Sequence, residues 1–154
     1  MVSTQADIGF MELALEQARR ALESGEVPVG AVVVVGGKVI GSGHNQPISS
    51  NDPTAHAEIV ALRAAALAMR SYRLMDSTIY VTLEPCVMCV GALINARVAR
   101  LVYGARDEKA GALGSVYDIG RDGRLNHRLE VVAGVAEARC ADMLQTCFRE
   151  RRGE

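Results

Sequence analysis

The chain has no tryptophan, two phenylalanines and four tyrosines, so aromatic residues make up 4% of its 154 positions. A surface that stacks base after base of a long single strand on aromatic rings is poorly supported by so few platforms. Lysine is scarce too, since fifteen of the seventeen basic residues are Arg. No apolar run reaches the ~20 residues that span a bilayer, so no membrane-crossing helix is expected. Residues 1–10 carry Asp7 and show no basic stretch followed by an apolar block, which argues against a secretory signal. There are only four cysteines, and without such a signal they do not read as a disulfide framework. A cytoplasmic setting is the expectation.

What is present suits one globular domain over residues 1–154. The mass is 16.4 kDa, with 49% hydrophobic and 23% charged residues, enough for one core and too little for two. The net charge of −1 excludes a bulk polycation. The distribution is less even: residues 1–60 balance at −4 and residues 61–154 at +3. Arg presents a flat, bidentate fork suited to phosphate, although net charge by itself says little about partners.

No repeat or low-complexity linker interrupts the chain. Residues 7–24 predict a helix with Met11, Leu15, Ala18 and Leu22 on one stripe and Gly25 as the stop. Residues 29–35 are apolar and rich in Val, as in a strand covered on both faces. Gly36-Gly37 predicts a tight hairpin into a strand over 38–43. A polar loop over 44–52 leads to Pro53, which is expected to open a helix reaching Met69. A strand over 78–82, a helix opened by Pro85 and ending near Asn95 or Arg97, and a strand over 99–103 follow. Residues 104–128 hold five glycines and read as a long functional loop. A strand over 129–133 and a helix over 136–152 close the chain. The order predicts an α/β fold. It is a three-layer α/β/α sandwich around a five-stranded mixed, mostly parallel sheet with an antiparallel hairpin at its edge.

Two short segments carry chemistry: His56-Ala57-Glu58 and Pro85-Cys86-Val87-Met88-Cys89. Cys86 and Cys89 are three apart, so one helical turn presents both sulfurs on one face, a spacing that tetrahedral zinc accepts. The partial positive charge of a helix N-terminus favours the thiolate that binds metal. His56 is the best third ligand, with His44 and His127 as alternatives. A His–Cys–Cys set leaves the fourth position open, the pattern of a catalytic site rather than a structural one. Glu58 can carry protons beside it. On a regular helix positions 56 and 58 differ by about 200°, so they converge only where the entering chain is not yet helical. Cys140 and Cys147 lie about 10 Å apart along a helix, too far to bridge, and read as core residues. A redox pair is the rival reading of Cys86-x-x-Cys89. Combined with His56-x-Glu58 and the preceding Pro85, the pattern is that of zinc deaminases.

At these residues the sequence resembles the cytidine and deoxycytidylate deaminase superfamily, and within it the bacterial tRNA-specific adenosine deaminases. The likeness runs from about Phe10 to Arg152. It includes Glu26-Val27-Pro28-Val29-Gly30-Ala31-Val32, Asp52-Pro53-Thr54-Ala55-His56-Ala57-Glu58-Ile59 and Tyr80-Val81-Thr82-Leu83-Glu84-Pro85-Cys86-Val87-Met88-Cys89, then Gly104-Ala105-Arg106-Asp107, Gly111-Ala112, Gly114-Ser115 and Asn126-His127-Arg128. The resemblance implies a cytidine deaminase-like fold with one Zn2+ per subunit, held by His56, Cys86 and Cys89. It implies conversion of the wobble adenosine of a tRNA anticodon to inosine, in a homodimer that holds the anticodon stem-loop near the subunit boundary. Glu58 would shuttle protons and Val29 would pack on the purine opposite His56. Asn45 would bond the base edge, and Asp107 would contact the nucleotide sugar or its neighbour. Phe148 would face adjacent nucleotides, and Ala57 is counted with the substrate-binding set. The main alternative is a deaminase of a free purine or pyrimidine, which shares the metal signature. A non-enzymatic, zinc-stabilised RNA-binding module is the other.

Overall fold

The computed structural model describes residues 3–153. Met1 and Val2, part of the opening segment read as unlike a secretory signal, lie outside them. Helix α1 spans Gln5–Glu23, and Thr4 caps it. The Thr4 hydroxyl accepts the Asp7 N–H at 3.2 Å, while Asp7 accepts the Thr4 N–H at 3.0 Å. The buried stripe is Met11, Ala14, Leu15, Ala18 and Ala21. Leu22, expected on it, is 38% exposed, and Ala21 is buried in its place.

Strands β1 (Gly30–Val35) and β2 (Lys38–His44) form the hairpin. Its turn residues Gly36 and Gly37 have φ of 58° and 77°, a conformation that favours glycine. A one-turn helix α2 (Pro47–Ser50) lies in what the sequence presented as plain loop. Helix α3 (Ala57–Met69), strand β3 (Ser77–Leu83), helix α4 (Val87–Asn95) and strand β4 (Arg100–Ala105) follow. A short 3-10 turn at Ile119–Arg121, strand β5 (Glu130–Val132) and helix α5 (Glu137–Arg151) complete the described chain.

The sheet order is β2-β1-β3-β4-β5. β1 runs antiparallel to both neighbours, whereas β3, β4 and β5 pair in parallel. Four strands therefore point one way and β1 alone is reversed, so the reversed strand lies inside the sheet. Helices α1 and α5 cover one face and α3 with α4 the other. The layers meet through glycine. A side chain at Gly41 would lie 2.6 Å from the Ala61 carbonyl of α3, so β2 accepts that helix only with a bare backbone there. Leu15, Ile79, Val81, Leu93 and Leu101 are among the core side chains, and Cys140 and Cys147 are buried as expected.

A charged clamp joins α1 to the sheet. Asp7 accepts two hydrogen bonds from Arg100, both at 2.7 Å, and one from the Tyr80 hydroxyl at 2.7 Å. The Arg100 guanidinium, through these bonds first, holds the Asp7 carboxyl well below the usual range despite its burial. Among the described residues no helix is long and apolar enough to cross a membrane.

Candidate active site

The ends of β3 and β4 and the start of β1 meet at one end of the three interior strands, and α3 and α4 begin there. The residue before each helix is its cap: His56 before α3 and Cys86 before α4, both in extended backbone. Neither Pro53 nor Pro85 is inside its helix: Pro53 lies in a turn closed by the Ala55 N–H on the Asp52 carbonyl, three residues before His56, and Pro85 directly precedes Cys86. The His56 side chain makes no capping bond to its own helix. Instead His56 Nδ1 lies 3.6 Å from Cys86 Sγ and 3.5 Å from Cys89 Sγ, with Cys89 in the first turn of α4.

All three donor atoms lie within 4.8 Å of one another, and among the described residues they form the one such His/Cys/acid group. Tetrahedral bonds of ~2.0–2.1 Å to nitrogen and ~2.3 Å to sulfur separate N from S by roughly 3.6 Å. The spacing of the three donors therefore fits zinc. His44 and His127 are engaged elsewhere: His44 Nδ1 donates to the Asn45 carbonyl at 3.0 Å, and His127 Nε2 to the Val98 carbonyl at 2.6 Å.

The cluster favours a thiolate. Hydrogen bonding from Cys89 first, and from His56 next, brings Cys86 down to about 3. The same contact with Cys86, and then burial, push Cys89 upward, while Cys86 raises His56. Glu58, the second residue of α3, is 4% exposed. Burial is the main cause that pushes its carboxyl up to about 7, opposed by its own backbone N–H and the His56 charge.

Above the cluster is a cavity of about 170 Å³ lined by Val29, Asn45, His56, Glu58, Cys86 and Asp107, with Val27, Leu83, Glu84 and Ala110. Three of the expected substrate residues, Val29, Asn45 and Asp107, thus come together with the donors. Two do not line it. Ala57 is fully buried and offers its backbone N–H, which Asn45 Oδ1 accepts at 2.8 Å. Phe148 lies on α5, 42% exposed, and lines a neighbouring cavity of about 440 Å³ with Arg106, Lys109 and Gln145. The two cavities share Val27, Leu83, Asp107 and Ala110.

Two glutamates with no role assigned from the sequence frame the cavity. Glu26, 1% exposed, accepts the Ser49 N–H at 2.7 Å, the Ser49 hydroxyl at 2.9 Å and the Ile48 N–H at 3.3 Å, fixing the segment after Asn45. Glu84, also 1% exposed, binds the segment that carries Asp107. Burial on its own would raise both carboxyls, but these donors outweigh it and hold both below the usual value. The sequence marked both only as members of family-matching stretches, Glu26 two residues before Pro28 and Glu84 directly before Pro85.

Comparison with known proteins gives this geometry a family. Residues 6–152 match the MafB19-like deaminase family. A tRNA-specific adenosine deaminase of Haemophilus influenzae is 49% identical over 154 residues, covering 99% of this chain and 89% of that protein. A solved structure from studies of A-to-I editing by tRNA:A34 deaminases at the wobble position of transfer RNA superposes with a TM-score of 0.86. It is 46% identical and covers 88% of this chain and 99% of its own. A guanine deaminase from Nitrosomonas europaea is more distant, at 26% identity and a TM-score of 0.78 over 96% of this chain and 86% of that one. A match that spans nearly every described residue, with near full-length identity of almost one half, makes this chain a member of the MafB19-like deaminase family.

Proposed function

We propose that this chain is a zinc-dependent tRNA adenosine deaminase that hydrolyses the wobble adenosine of an anticodon to inosine and releases ammonia. His56, Cys86 and Cys89 would hold the ion, one per subunit. When bound, zinc supplies Lewis-acid activation of the attacking water. The chain's own residues supply position and proton transfer. Glu58 would take a proton from the attacking water and give it to purine N1 as oxygen adds to C6. It then carries the new hydroxyl proton to the amine, so the C6–N bond breaks, ammonia leaves and the carbonyl of inosine forms. One water is consumed and one ammonia produced. Val29 packs on the purine, Asn45 bonds its edge, the Ala57 N–H fixes Asn45, and Asp107 meets the sugar. Residues 1–154 act as one domain of a cytoplasmic homodimer.

The observation that carries the RNA reading is the pair of joined cavities. The inner one is of a size for a single base. The outer one, with Arg106, Lys109, Gln145 and Phe148 on its walls, gives flanking nucleotides a place that a free base does not need. A loop nucleotide is splayed out at low cost, unlike a paired one. The test is incubation with an adenosine-34 anticodon stem-loop, inosine being read by sequencing, beside free guanine and free adenosine. Efficient conversion of the stem-loop and little of the free compounds is expected. Turnover of guanine alone moves the chain to free-base metabolism.

A further inference from the structure

We infer that Glu84 is a positioning residue that sets the grip on the target nucleotide by holding Asp107 in place; this rests on the tRNA deaminase reading above. Glu84 stands between the end of β3 and Pro85-Cys86, so its backbone belongs to the turn that delivers a metal donor. Its carboxylate reaches the other way, into the loop after β4. Oε1 accepts the Asp107 N–H at 3.1 Å and the Ser115 hydroxyl. Oε2 accepts the Leu113 N–H at 3.0 Å and the Ser115 N–H at 3.1 Å. The adjacent Pro85 carbonyl accepts the Ala112 N–H at 2.8 Å. The loop is packed so tightly on this carboxylate that a side chain at Gly111 would collide with it.

An ionised carboxylate is an acceptor at both oxygens and satisfies all four donors. A glutamine of the same shape brings an NH2 group against two of them, which leaves buried N–H or O–H groups facing a donor. Asp107 is held through its own backbone N–H, and its side chain Oδ1 in turn accepts the N–H groups of Lys109 and Ala110 at 3.1 and 3.2 Å. Loss of the Glu84 bonds therefore releases the backbone that aims Asp107 at the cavity, without touching His56, Cys86, Cys89 or Glu58.

The experiment compares wild type, Glu84→Gln, Asp107→Ala and the double variant on the anticodon stem-loop. Zinc content and thermal melting are recorded for each. Glu84→Gln is expected to raise KM about tenfold with kcat within about threefold, the scale of lost hydrogen bonds to a charged group. In the Asp107→Ala background the same substitution is expected to add little, because its effect passes through Asp107. A full, additive rise in the double variant, or an unchanged KM in the single one, overturns the inference. Ser115→Ala deletes one donor and leaves the carboxylate, so it provides a milder variant if Glu84→Gln does not fold; a smaller KM rise that is likewise absent in the Asp107→Ala background is expected. Hydrogen exchange separates the two claims. Glu84→Gln is expected to speed exchange at the Asp107, Leu113 and Ser115 amides, and unchanged exchange refutes the loop anchor whatever the substrate proves to be. A wild-type enzyme inert on the stem-loop refutes the functional reading, and with it the grip on a nucleotide.

Discussion

Asn45 Oδ1 accepts the Ala57 N–H at 2.8 Å, a bond that ties the end of the hairpin to the first turn of the helix carrying Glu58. It fixes the orientation of the amide: with the oxygen engaged, the NH2 is the end available to an acceptor on a base. Asn45→Asp keeps an acceptor for Ala57 and removes the donor. It is expected to melt within a few degrees of wild type and retain zinc, while kcat/KM on the stem-loop falls at least about tenfold. Asn45→Ala is expected to lose both, with about 1 kcal/mol of stability as well. Wild-type kcat/KM for Asn45→Asp removes the base contact.

The donor spacing makes metal content a direct test. Protein purified without chelator is expected to hold about one zinc per chain, and Cys86→Ala or His56→Ala to hold far less, because a third donor is lost from a site already one short of four. Elemental analysis checks this. Full activity in a metal-free preparation refutes the assignment.

Glu58→Gln separates holding the ion from moving protons. The side chain is buried and the substitution is nearly isosteric, so zinc and fold should persist. The rate is expected to fall at least ~10²-fold, the lower range for removing general acid–base catalysis. A silent substitution here favours the zinc-stabilised binding module instead.

The Asp7–Arg100 clamp gives a pH dependence with a definite sign. The carboxyl is depressed in the folded state, chiefly by Arg100, so its stabilisation is complete above the unfolded value of ~3.9 and is lost as pH falls toward the folded one. Asp7→Asn leaves Arg100 with only the more exposed Glu130 carboxylate, 3.7 Å away, and is expected to cost about 2 kcal/mol near neutrality, the scale of lost hydrogen bonds to a charged group. The gap between the two proteins should narrow below about pH 4. Urea titrations at several pH values measure it; a gap that is constant through the acid range contradicts the assignment.

Association is the remaining prediction. On α4, Val90, Leu93 and Ile94 turn into the protein's own core, but Val87 and Met88, between the two cysteines, are 47% and 37% exposed. A homodimer of about twice 16.4 kDa that covers them is expected by light scattering. An active monomer at micromolar concentration contradicts it.

By itself the sequence determined the parts whose signal is local. The apolar run after Pro28, the Gly36-Gly37 turn and the helical stripe of Met11 and Leu15 each depend on neighbours in the chain, and each element stands within a few residues of its expected place. The Cys86-x-x-Cys89 spacing is local too. Three things were decided only by tertiary structure. That the extended caps His56 and Cys86, 30 residues apart in the chain, face each other is one: helix arithmetic asked for a non-helical residue 56 but not for its partner. The reversal of β1 against β3 follows from ladder pairing that no hydropathy pattern encodes. Most of all, Glu26 and Glu84 lie in family-matching stretches but carry no signature that tells their roles. Only folding buries them and brings loop donors from residues 48–49 and 107–115 onto their carboxylates, since a buried carboxylate persists where distant backbone N–H groups replace the water it lost.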